Sequence, residues 1–173
     1  MTLAATTTFS AASFSHAAQG TVSKEANYHA IGASDVNAII NQAENLSLNG
    51  KHVEAAVIWK QLLASAEKLF SNGRHDEAAA IWEKLLASAK TLFGPSHPNV
   101  ALVLNYLSVN LLQQGNYQAA ESLARRSLAI SEEALGVDHI GNMPSLKVLA
   151  LSLVEQGKFS ASESLYRRSI TIN

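Results

Sequence analysis

The chain states one passage twice at a fixed spacing. GNYQAAESLARRSLAI at residues 115–130 returns as GKFSASESLYRRSITI at residues 157–172, an offset of 42 residues. The register extends upstream: Gly94, Pro95, Ser96 and His97 align with Gly136, Val137, Asp138 and His139, and Leu104, Leu107 and Leu111 align with Leu146, Leu149 and Leu153. One more step back lands on Gly73, again between two helical patterns. A fixed period of this size marks a stacked array whose units bury their apolar faces only against neighbours. The shape predicts a surface for holding something, without naming the guest.

A tighter copy precedes it. NGKHVEAAVIW at residues 49–59 is followed by NGRHDEAAAIW at residues 72–82, an offset of 23, and the match continues through Leu62 and Leu85 to Phe70 and Phe93. This shorter period is one helix plus its turn. Ala55, Ile58, Trp59, Leu62, Ala66 and Leu69 share one face of a helix, and the matching residues share a face of the next. Upstream, Asp35 is the expected N-cap of a helix carrying Val36, Ile39, Ile40, Ala43 and Leu46 at helical spacing, closed by Asn49 and Gly50. Downstream, helices are expected from Pro98 (with Ser96 and Pro98 at the start), Tyr117, Met143 and Phe159, separated by Gly115, Gly136 and Gly157. That makes about seven helices, and no period-two alternation predicts a strand.

Residues 1–34 are rich in Ala, Ser and Thr, with Lys24 and Glu25 their only charged side chains, and show no periodicity. We read them as a tail without its own core, disordered or ordered by a partner, ahead of a repeat domain at 35–173. Their acid-poor opening has some likeness to an organelle transit peptide but lacks arginine, so a cytoplasmic, soluble chain is the expectation. A net charge of −1 offers nucleic acid or an anionic membrane no general attraction, and no apolar run reaches the ~18 residues of a spanning helix. With no cysteine, disulfides and thiolate metal sites are excluded.

At this point the chain resembles the tetratricopeptide repeat (TPR) family, in the longer-period form found in kinesin light chains. Leu104, Leu107, Ser108 and Leu111 before Gly115, with Ala120 after it, follow the family's order of large and small positions. Leu146, Leu149, Ala150, Leu153 and Ser162 repeat that order around Gly157, and Leu62, Ala66, Leu69, Ala78 and Trp82 around Gly73, where Ser65 departs from it. The run from Leu92 to Pro98 is similar to the light-chain inter-repeat linker; Asp138, His139 and Ile140 lose its proline. The resemblance implies an all-α, right-handed solenoid of antiparallel helix hairpins whose first helices line a concave groove for a peptide or a partner's helix. Carried over, the groove positions are Asn37, Asn41 and Glu44, then Lys60 and Glu67, then Asn105, Tyr106, Val109 and Gln113, and last Lys147 and Leu151. Asn105 matches the light-chain asparagine that reads a peptide backbone, while Tyr106 replaces a second one. Two lysines offset by two glutamates exclude a basic carboxylate clamp.

The implied role is a non-catalytic protein-interaction scaffold without cofactor or metal, binding a protein or peptide partner. The alternatives are a self-assembling subunit, joined through a C-terminal helix that keeps Leu165, Ile170 and Ile172 in pattern without a polar cap, or a regulatory fragment of a larger protein. Other signals have blander explanations. Arg125 and Arg167 follow Glu121 and Glu163 by four residues, the spacing of surface ion pairs. His52 and His75 recur after each turn, but no third ligand has metal-site spacing. Trp59 and Trp82 sit among leucines as core residues. No phosphate loop, zinc motif or nucleophile elbow occurs. On this reading Asn105→Ala or Tyr106→Ala weakens binding without moving the thermal midpoint, whereas Leu123→Ala costs about 2–5 kcal/mol.

Overall fold

The computed structural model describes residues 33–172. They form seven α-helices: α1 (Ala33–Leu48), α2 (His52–Ser71), α3 (His75–Phe93), α4 (Pro98–Gln113), α5 (Tyr117–Leu135), α6 (Met143–Glu155) and α7 (Phe159–Thr171). A single 3₁₀ turn, Ile140–Asn142, precedes α6, and no strand occurs among the described residues. The expectations placed on residues 1–32 lie outside the described part. Helix α1 begins two residues before the anticipated cap, so Asp35 falls in its first turn, where a carboxylate faces the positive end of the helix dipole.

Two kinds of turn punctuate the array. At Gly115 the backbone adopts φ 75°, which only glycine takes without cost. There Gly115 N–H bonds Leu112 O at 3.1 Å and Asn116 N–H bonds Leu111 O at 2.9 Å, the paired closure of a Schellman motif. The same pair of bonds closes α1, α2 and α6. The α3–α4 and α5–α6 connections are longer. In each, a histidine Nδ1 accepts from the N–H two residues on, His97 from Asn99 and His139 from Gly141, so His97 rather than Ser96 caps α4.

Tight turns thus stand on both sides of α2, so three helices run together before the first long linker. Helix α1 accordingly packs against both α2 and α3, whereas α6 packs against α5 and α4. Where two helices of a hairpin approach most closely the residue is small: Ala78 and Ala120 are fully buried, and buried Ser162 returns its hydroxyl to Ala150 O at 2.9 Å.

The core forms two clusters. One joins Val36, Trp59, Leu62, Trp82, Leu85, Val100 and Leu104 with neighbours from α1 to α5; the other joins Ala124, Leu128, Leu146, Leu149, Leu153 and Ile172 across α5 to α7. Trp59 and Trp82 are core residues, 4% and 1% exposed. Leu123 only packs against the first cluster from a half-buried position, so its truncation falls below the cost set by a full cavity.

Candidate functional site

Helices α2, α4 and α6 are the first helices of the hairpins they open, and they carry eight of the expected groove residues. Successive turns of α4 place Leu102, Asn105, Tyr106, Val109 and Gln113 along one face, because residues three and four apart lie one above the other. Leu102, exposed at 39%, is the member of this face that sequence reading missed. Its signal was available, since it falls four residues before Tyr106. Lys60, Gln113 and Lys147 are exposed, and Glu67, Asn105, Val109 and Leu151 are half-buried. The repeat register puts Glu67, Val109 and Leu151 at one level, giving a wall acidic at its N-terminal end and apolar beyond.

Two of these residues meet directly. The Tyr106 hydroxyl donates to Glu67 Oε1, bridging α4 to α2, while its ring stacks on Trp82 at 5.2 Å. Burial first, and then the carboxylate acceptor, raise the phenol pKa well above its usual value. Tyr106 is therefore part of the framework, and Tyr106→Ala will lower stability instead of acting on binding alone. Asn105 differs: its Oδ1 is a buried acceptor with no hydrogen-bond partner.

Asn37, Asn41 and Glu44 are placed elsewhere. They belong to α1, which precedes α2 and packs against both α2 and α3. Asn37 and Asn41 are exposed.

The remaining motifs resolve into local contacts. His52 Nδ1 lies 3.2 Å from Ser47 Oγ, and the His75 ring packs edge-on against Phe70 at 4.7 Å, so the two histidines do not converge. Among the described residues no three metal-ligating side chains cluster. Glu121 pairs with Arg125 at 2.8 Å and Glu163 with Arg167 at 2.7 Å, as the spacing requires. Their neighbours do not repeat: Arg168 reaches back to Glu132 at 2.5 Å, an ion pair without hydrogen-bond alignment, and donates to Val137 O. Arg126 has Lys90 where Arg168 has Glu132, and stays exposed. No described helix is long and apolar enough to cross a membrane.

Stacked helical hairpins with small residues at the crossings define an α-solenoid. The tetratricopeptide repeat family model matches residues 54–133 and 105–173, and the chain belongs to that family. Repeats of this family generally mediate protein–protein interaction. Among solved structures, a point variant of the nearly identical TPR-like repeats of a Podosopora anserina protein assigned as a kinesin light chain is similar at 21% identity. It has a TM-score of 0.55, covering 83% of this chain and 77% of that one. The unsubstituted form aligns at 17% identity and a TM-score of 0.38, covering 82% and 96%. No curated protein sequence matches.

Proposed function

We propose that this chain is a non-catalytic scaffold that holds a peptide or helical segment of a protein partner along the wall formed by α2, α4 and α6. The observation that supports this most is Asn105, whose unpaired amide oxygen stands on α4 between exposed Leu102 and half-buried Val109. An acceptor without a partner is rare in a packed chain, and a turn of the side chain that brings this oxygen out beside the apolar stripe would let a guest's N–H satisfy it. Affinity capture with the intact chain, with cross-links mapped to α2, α4 and α6, tests the reading. Asn105→Ala and Leu102→Ala should each weaken capture several-fold while the thermal midpoint stays put. Arg126→Ala, on a second helix, should leave capture unchanged. Capture that ignores the first two changes, or cross-links confined to α3 and α5, would overturn it.

A second reading is self-association through α7. Tyr166 and Ile170 are exposed there, 38% and 79%, although their equivalents 42 residues earlier, Ala124 and Leu128, are buried in the cluster shared with α6. Light scattering over a range of concentrations separates the two. A mass fixed at the monomer value counts against α7 as a contact between copies and leaves the groove reading intact.

A further inference from the structure

The outer side of the array carries the same cleft twice, and the two copies differ in charge. Gln118, Glu121 and Arg125 line the C-terminal one with Lys158; Asp76, Ala79 and Glu83 stand at the same repeat positions in the N-terminal one. In the C-terminal cleft the chain supplies its own cations. Lys158 Nζ lies 2.9 Å and Arg125 Nη2 2.8 Å from the Glu121 carboxylate, Gln156 donates to it at 2.9 Å, and buried Ser152 bonds Val148 O at 2.8 Å. Glu121, Arg125, Lys158, Gln156 and Ser152 therefore all have partners within the chain.

The N-terminal cleft, about 380 Å³, has lost both the cations and the carboxylate of Glu121, whose position is Ala79, and has gained carboxylates at the positions of Gln118 and Arg125. Glu83 replaces Arg125, Asp76 replaces Gln118, and Asn116 replaces Lys158 and is used as the cap of α5, accepting from Ala119 N. The lining includes two carboxylates and no base, above a floor of Leu107, Leu111 and Leu123. Asn110, in the position of Ser152, also lines it; it is 3% exposed and its Oδ1 has no hydrogen-bond partner. Gln114 reaches Asp76 at 3.3 Å, and Glu83 is exposed.

We propose that this cleft, lined by α3, by the face of α4 that carries Leu107, Asn110 and Leu111, and by Leu123 of α5, is a second binding site that accepts a lysine side chain from a protein partner. The methylene stem lies on the leucine floor, and the ammonium faces Asp76, Glu83 and the amide oxygen of Asn110. A flexible aliphatic chain ending in a charge suits a cleft with an apolar floor and acidic rim.

The test is NMR of the full chain, following leucine methyls and asparagine side-chain amides while a capped Ala-Lys-Ala peptide is added at millimolar concentration. Capped Ala-norleucine-Ala and calcium chloride are the other two arms. Saturable shifts at Leu107, Leu111, Leu123 and Asn110 with the lysine peptide alone support the proposal. Asp76→Asn with Glu83→Gln should then weaken binding about tenfold, through loss of charge-assisted hydrogen bonds. Ala79→Glu with Asn116→Lys, rebuilding the internal pair of the other cleft, should abolish it. If a double variant loses its fold by circular dichroism, Asn110→Ser, the residue of the closed cleft, is measured in its place and should bind more weakly. Equal shifts with norleucine, shifts reproduced by calcium alone, shifts spread over every surface carboxylate, or unchanged binding by the variants would each overturn it.

Discussion

The two long joints of the array, α3 to α4 and α5 to α6, share a backbone and are filled with opposite chemistry. Both begin at a glycine of φ near 90° (Gly94 at 90°, Gly136 at 93°) and both use a histidine to hold the following N–H. Leu85, Ala89, Val100 and Val103 pack the first and are all fully buried. Forty-two residues on, the same positions are Ser127, Ser131, Asn142 and Ser145, also buried. The second joint closes its own hydrogen bonds. Ser127 donates to Ala101 O at 2.6 Å and lies 2.8 Å from Ser145 Oγ, while Ser131 donates to Asn142 Oδ1 at 2.7 Å. Asn142 Nδ2 in turn holds Gly136 O at 2.7 Å and Val137 O at 3.1 Å. Pro98 is the first residue of α4; its counterpart is Ile140, which opens a 3₁₀ turn ending at Asn142, and α6 follows with its own proline, Pro144, in the first turn. One joint is held by non-directional burial and the other by a closed polar set, which is why the apolar core divides into two clusters at this level.

Exchanging the chemistries is the hardest test of that contrast. Asn142→Val leaves two carbonyls and a serine hydroxyl without their partner, and at ~1–3 kcal/mol for each orphaned group the loss should be at least about 3 kcal/mol. Adding Ser131→Ala, which completes the apolar pair of the first joint, should recover part of it. Val100→Asn, the reverse change, should cost a similar amount with no recovery from Ala89→Ser unless both hydrogen bonds form. Urea denaturation of these four variants, with Ser131→Ala and Ala89→Ser measured alone, closes two double-mutant cycles. If Asn142→Val proves neutral, the polar joint contributes nothing that burial does not.

The repeat, the helix starts and the turns were legible because glycine at positive φ and apolar spacing act locally. So were the tryptophans, which stand among leucines. The polar joint was not, since Ser127, Ser131 and Ser145 look like ordinary surface residues of a helix. Only setting each against Leu85, Ala89 and Val103 shows polar groups at buried positions. The packing of α1 was hidden for a related reason: Gly50 and Gly73 mark turns of one kind, and nothing local says that two in succession bring the helix of Asn37, Asn41 and Glu44 against α3 as well as α2. Tyr106 was read as a groove residue, but its tie to Glu67 spans 39 residues and belongs to packing.

That tie reverses the polarity of the contrast on the inner wall. Its counterparts one repeat later are Val109 and Val148, which pack in the second cluster. Tyr106→Phe removes one hydrogen bond to a carboxylate and should cost about 1–2 kcal/mol. Absorbance titration checks the same contact. Because the folded phenol has a raised pKa, its stabilisation is complete below the ordinary tyrosine value and is lost as pH rises through the folded one. One tyrosine should therefore ionise late in the native chain, and the late step should vanish in Tyr106→Phe. Glu67→Val with Tyr106→Val imports the valine pair of the next repeat and should be less damaging than either change alone.

The smallest effect comes from the outer clefts, where only the C-terminal one carries an internal salt bridge. Glu121 is held down to about pKa 2, first by Lys158, with Arg125 and Gln156 adding to it against the cost of burial. A depressed carboxylate stabilises the fold above its unfolded pKa, and that contribution fades as pH falls toward the folded value. The window is thus about pH 4.5 down to about 2. Lys158 and Arg125 are half in water, 49% and 55% exposed, so screening reduces the contribution to the order of 1 kcal/mol. Glu121→Gln should lower stability by that amount at pH 7 and flatten the acid limb between pH 4.5 and 2, with the difference shrinking at high salt. Ala79→Glu with Asn116→Lys should steepen the same limb, by giving the N-terminal cleft the pair it lacks. An acid limb that Glu121→Gln leaves unaltered would mean that the two clefts differ in charge without differing in what holds them.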